Sequence, residues 1–76
     1  MTDAIEQAIK HAIPDARVEA TGGGGHFNIT VHSGEFAGKS KLQNHRAVLR
    51  AIKHLMAGDT APVHAVDSLH TLLPEA

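Results

Sequence analysis

The sequence predicts an α+β domain of order α-β-β-α(α)-β, a three-stranded sheet with helices packed on one face. Three observations predict it. Apolar residues near the N-terminus recur at helical spacing. Two strictly alternating runs then flank the glycines Gly22–Gly25, and after Ser40 the helical period returns before a last β-like run ends near Pro74. At 76 residues the chain holds a single domain spanning 1–76. The apolar fraction is 42%, but twelve residues are alanine and only Phe27 and Phe36 are aromatic. The predicted core is therefore small and aliphatic, and an enzyme with a deep active site is not expected.

Ile5, Ala8, Ile9, Ala12 and Ile13 follow i, i+3, i+4, i+7, i+8 spacing, one apolar helix face. Asp3 and Glu6 have capping-box spacing at its start, with Thr2 as a rival cap. Pro14 ends the helix, because it disfavours helical geometry in the preceding residue and has no N–H. Ala16, Val18 and Ala20 alternate with polar residues, as do Phe27, Ile29 and Val31. The two runs read as an antiparallel hairpin. Four glycines exceed what a tight turn needs, so the tip is expected to be long and mobile. A phosphate-loop reading fails, because a strand rather than a helix follows and no Gly-Lys-Ser/Thr ending is present.

From Ser40, Leu42, Leu49, Ile52 and Met56 form one predicted helical stripe, supported by Val48 and Leu55. One helix and two helices joined near Asn44 are both compatible with this pattern. Gly58 and Pro62 mark the helical end. Val63 to His70 reads as the third strand, with Val63, Ala65 and Leu69 on one face and Val66 on the other. Apolar residues on both faces predict a strand more enclosed than the hairpin. Val18, Phe27, Ile29, Val31, Leu49, Ile52 and Val63 are the expected core, with Ile5 and Ile9 packed on the sheet.

The chain has no cysteine, which excludes a disulfide framework, a thiol nucleophile and any thiolate-ligated metal built from this chain alone. The N-terminus lacks the pattern of a signal peptide and no apolar run approaches 18 residues. A soluble, cytoplasmic protein without membrane contact is expected. No serine sits in a nucleophile-elbow or triad context, and no acid pair suggests acid–base work, so no enzymatic activity is predicted.

Net charge is −1, unevenly spread: residues 1–35 carry −3, residues 36–58 carry +5 with no acid, and residues 59–76 carry −3 through Asp59, Asp67 and Glu75. Arg46, Arg50 and Lys53 recur at helical spacing, and with Lys39 and Lys41 they are the candidate nucleic-acid contacts. The alternative is a solvated helix face, and no aromatic interleaves to stack on bases. Seven histidines are the other departure from ordinary composition. His26 and His32 share a strand face but lie roughly 20 Å apart at about 3.3 Å per residue, and similar arithmetic separates His64 from His70. His11 and His54 fall on helix surfaces, and His45 falls on the apolar stripe as a partly buried residue. His26, at the hairpin tip, and His64, at the start of the third strand, remain as a pair for one metal if the sheet joins those ends. Two imidazoles make half of a tetrahedral site.

Phe36-Ala37-Gly38-Lys39-Ser40, Asn44-His45-Arg46-Ala47-Val48 and Val63-His64-Ala65-Val66 occur in order. Together they resemble the BolA family, whose signature runs Phe-x-Gly-Lys/Met-Ser/Pro, Arg-His-Arg-x-Val and Ile-His-Ala-Leu and closes with Thr-x-Thr-Pro-x-Glu. The resemblance extends from the first helix to Pro74 and implies a class II KH-like αββααβ fold. The Gly-x-x-Gly clamp of KH domains is missing between the helices. The resemblance also implies pairing with a monothiol glutaredoxin. A [2Fe-2S] cluster would be shared between the glutaredoxin cysteine, glutathione and two ligands of this chain, His64 and His26. The partner would then supply the thiolate sulfur that this chain lacks. Alone, the protein is expected to be a monomer or weak homodimer. Family members are also described as transcriptional regulators, a role that would fall to DNA contact through Lys39, Lys41, Arg46, Arg50 and Lys53. Two departures are visible. Asn44 stands where the family usually has Arg, one charge fewer, and the sequence stops where many members continue into another helix.

Overall fold

The computed structural model describes residues 1–58 and 61–75. Asp59, one of the acids of the last segment, lies outside them. The order is α1 (Thr2–Ala12), β1 (Arg17–Gly23), β2 (His26–His32), a 3₁₀ turn (Gly34–Phe36), α2 (Lys41–Ala51), α3 (Lys53–Met56) and β3 (Ala65–Leu72). The sheet order is β1-β2-β3. β1 and β2 are antiparallel, as a hairpin requires, and β3 runs parallel to β2. The helical connection between β2 and β3 permits this, since parallel neighbours need a long crossover.

α1 follows the predicted stripe. Ile5 and Ile9 are fully buried, and Ile13, just past the last turn, joins them. The expected Asp3–Glu6 capping box does not form: Met1 is the N-cap and no side chain caps it. Asp3 still lies in the first turn, where a negative charge suits the helix dipole. A box forms instead on α2. Ser40 Oγ accepts from the Gln43 N–H at 3.1 Å, and Gln43 Oε1 accepts from the Ser40 N–H at 2.9 Å.

The four glycines do not make a long tip. Gly22 and Gly23 are strand residues paired with Phe27 and His26. Only Gly24 and Gly25 turn, with φ of 63° and 85°. A two-residue hairpin with positive φ at both central positions matches the twist of the flanking strands, and glycine enters that region at no steric cost. The expectation of a long, mobile loop is thus corrected to a tight turn.

Three further expectations change. Leu49 is 37% exposed and Leu42 faces solvent, whereas Val48 and Ile52 are fully buried. Of the expected stripe, Val48, Ile52, Leu55 and Met56 lie in or against the core, joined by Ala51 and buried Asn44, and Leu42 and Leu49 do not. Successive helical residues are about 100° apart, so choosing Leu49 over Val48 rotates the helix by a quarter turn. The helical break lies at Ile52, between α2 and α3, not near Asn44. β3 is an edge strand and β2 the central one, so β3 is not the more enclosed. Its apolar pattern has another cause. The register jumps from Phe27↔Val66 to Asn28↔Ser68, leaving Asp67 as an extra residue. This bulge resets the alternation and puts Val66 and Leu69 on the same, core-facing side.

The core joins Ile5, Ile9 and Ile13 with Val18, Phe27, Ile29, Val31, Phe36, Val48, Ile52 and Val63. All of the expected core except Leu49 is in it.

Candidate metal centre

His64 lies one residue before β3, and its position is set by Gly25. The Gly25 carbonyl accepts from both the His64 N–H, at 2.8 Å, and the Ala65 N–H, at 3.0 Å. The imidazole lies directly on Gly25: a β-carbon there would overlap His64 Cδ2 and Cγ. Only glycine permits this approach at a residue whose φ is also positive. His26 is the next residue in the chain, and it pairs with Ala65, the residue after His64. The tight turn and the parallel ladder thus bring the two predicted ligands to one end of the sheet. Both are exposed.

His26 is not on a free tip. It is the first residue of β2, and its Nδ1 lies 3.2 Å from Asp67 Oδ1. Asp67 gave no functional signal in the sequence, because the bulge that carries it toward His26 comes from strand register rather than local pattern. Among the described residues no three His, Asp or Glu side chains are grouped so as to hold a metal ion. What His26 and His64 would offer a metal is two imidazoles, a donor type that suits borderline metals including iron. That number fits a cluster completed by a partner, and not a metal held by this chain alone.

The other histidines stay apart from this end. His32 Nδ1 is 3.1 Å from the Leu73 carbonyl. His45 is half-buried, as expected, with Nε2 enclosed and without a hydrogen-bond partner among the described residues. Burial, then Lys41 and His70, lowers its pKa from the ordinary histidine value. His11 and His54 are exposed.

The candidate nucleic-acid residues Lys39, Lys41, Arg46, Arg50 and Lys53 are all exposed, and they border several depressions, one of which Lys39 and Arg50 line together. Arg46, Arg50 and Lys53 border an open apolar groove with Leu49 and Met56 on the outer face of α2 and α3. Lys39 and Lys41 flank a separate depression with His70, Thr71 and Leu72, between the start of α2 and the end of β3. Asn44, at the position of the missing arginine, is interior: it is 6% exposed and its Nδ2 donates to the Phe36 carbonyl at 3.2 Å. It ties the 3₁₀ turn to α2, and it lines the depression that Lys39 and Lys41 flank without bringing a charge to it.

The family model for BolA-like proteins matches residues 3–76. Among solved structures, BolA1 from Mus musculus is 33% identical with a TM-score of 0.73, covering 95% of this chain and 63% of the mouse chain. A BolA protein homologue from Coxiella burnetii is 30% identical with a TM-score of 0.69, covering 96% of this chain and 87% of that one. Yeast Fra2 is 30% identical with a TM-score of 0.66, over 97% of this chain and 77% of its own. This chain therefore spans less than two thirds of the mouse structure's length. A search of curated proteins gave no match. The three ordered motifs, the mixed three-stranded sheet and the family match over residues 3–76 agree, and the chain belongs to the BolA family.

Proposed function

We propose that this protein is a non-enzymatic adaptor that pairs with a monothiol glutaredoxin and contributes His64 and His26 to a shared [2Fe-2S] cluster, in iron–sulfur trafficking or iron-status signalling. The observation that carries the reading is the double hydrogen bond to the Gly25 carbonyl. It holds His64 on the hairpin turn, beside His26, with no group of three possible ligands among the described residues. Family membership supports it. The partner's cysteine and glutathione would complete the coordination. The bound cluster would supply one-electron and iron–sulfur transfer chemistry. What this chain adds is two neutral nitrogens, which leave a cluster less negative than two more thiolates would and raise its reduction potential. A cytoplasmic setting belongs to the same proposal. Among the described residues no helix is long and apolar enough to cross a membrane.

The test is a spectroscopic titration of a cluster-loaded monothiol glutaredoxin and glutathione with wild type, His26→Ala and His64→Ala. Wild type is expected to form a one-to-one coloured heterodimer with a new visible circular dichroism spectrum. His64→Ala is expected to form none, because its backbone is anchored to Gly25 by its own N–H and the next. His26→Ala should give a more labile complex. A wild-type spectrum at wild-type stoichiometry from His64→Ala refutes the ligand assignment.

A second reading rests on Arg46, Arg50 and Lys53, which share one exposed helical face. That face would make sequence-independent contact with a nucleic-acid backbone.

A further inference from the structure

We infer that Asp67 is a positioning residue: its carboxylate holds His26 with the proton on Nδ1, so that Nε2 is the nitrogen presented to the cluster. The inference rests on the reading of His26 as a ligand and specifies how this chain prepares it.

An imidazole ligand coordinates through one nitrogen, and the hydrogen bond at the other decides which. His26 Nδ1 lies 3.2 Å from Asp67 Oδ1, and both side chains are more than half exposed. A carboxylate accepts and does not donate, so the contact requires the proton on Nδ1. In the neutral ring Nε2 then carries the lone pair. Metal-bound histidines commonly donate their other N–H to a carboxylate, which fixes the ring and strengthens it as a donor.

The backbone is arranged for this contact at a cost to strand regularity. Regular pairing would place Asp67 opposite Asn28. Instead Asp67 is the unpaired residue of the bulge, and Ser68 takes the place beside Asn28, donating from Oγ to Asn28 Oδ1 at 2.9 Å. Val66 and Leu69, both partly buried, still pack against the core. The inserted residue thus turns outward without displacing an apolar neighbour. Bulges re-aim side chains in this way next to functional sites. The Asp67 side chain makes no other hydrogen bond among the described residues, and no lysine or arginine there bridges to it.

The experiment compares wild type, Asp67→Ala and Asp67→Asn, each labelled with ¹⁵N in histidine. Ring nitrogen shifts of His26 are read in the free protein at pH 8, and the lifetime of the cluster complex with glutaredoxin and glutathione is then measured. In wild type His26 should show the Nδ1–H form. Asp67→Ala should shift it toward the Nε2–H form and shorten the complex lifetime by about 10-fold or more, within the range for removal of such a partner. Asp67→Asn, whose amide oxygen still accepts, should restore part of both. Unchanged His26 shifts in Asp67→Ala overturn the inference whatever the cluster does. Changed shifts with an unchanged lifetime overturn the positioning role while leaving the ligand pair intact. No cluster complex with wild type removes the adaptor reading and, with it, the assignment of Nε2 as a ligand nitrogen. The shifts would then still report whether Asp67 holds the ring.

Discussion

Asp15 closes the junction where α1 gives way to β1 and β2 gives way to the 3₁₀ turn. Its Oδ1 accepts from the buried Ser33 hydroxyl at 2.6 Å, and its Oδ2 accepts from the Gly34 N–H at 2.9 Å. Ser33 Oγ in turn accepts from the Glu35 N–H at 3.0 Å and so caps the 3₁₀ turn. The Ser33 hydroxyl, then the Gly34 backbone, lower the Asp15 pKa from its ordinary value. A carboxylate with a depressed folded-state pKa stabilises the fold above its unfolded pKa, near 3.9, and loses that contribution as pH falls through the folded value. Asp15→Ala is therefore expected to lower the urea midpoint at pH 7 and to narrow its gap from wild type below about pH 3.9. A gap independent of pH would show that the ionised carboxylate is not what holds this junction.

At the scale of elements, the orientation of α2 decides which residues stabilise the sheet. Ile52 is fully buried, whereas Leu49 is 37% exposed and borders the outer groove. Ile52→Ala should cost on the order of 2–5 kcal/mol, the range for truncating a buried aliphatic chain. Leu49→Ala should cost less than half as much as Ile52→Ala, since part of its surface stays in water in the folded state. Chemical denaturation of both variants checks this. Equal losses would mean that the helix sits a quarter turn away from the orientation described. The stripe was hard to read because Asn44 occupies one of its inward positions. A buried asparagine whose Nδ2 donates to the Phe36 carbonyl looks in sequence like a surface residue.

Over the whole molecule, charge is separated: a helical segment of +5 lies between two segments of −3. The fold sets Arg46, Arg50 and Lys53 along the α2–α3 groove and Lys39 and Lys41 near the end of β3, with Lys39 and Arg50 also lining one depression in common. Phosphate contact through the first group would be sequence-independent and sensitive to salt. Replacing Arg46, Arg50 and Lys53 together with alanine should weaken binding equally across unrelated DNA duplexes. It should also reduce the slope of log affinity against log salt by about 3, one for each phosphate no longer neutralised. Unchanged affinity would mark this face as solvated surface without a nucleic-acid role.

Local pattern alone determined most of the architecture. Helical spacing in α1, two alternating runs around glycine and the return of helical spacing after Ser40 predict the element order, and buried Ile5, Phe27, Ile29 and Val31 follow from it. The positions of the histidines and the resemblance to the BolA family also single out His26 and His64 from sequence alone. Tertiary structure decided what depends on pairing between distant segments. Hydrogen bonds from His64 and Ala65 to Gly25 put the two histidines at one end of the sheet. The tight turn at Gly24 and Gly25 anchors His26 where the sequence suggested a mobile loop. The bulge at Asp67 brings its carboxylate to that imidazole across 41 residues of chain. Periodicity reports which face of an element is apolar, because that preference acts within a few residues. Strand register, bulge position and sheet order are set by energies summed over whole strands, so no short window of sequence contains them.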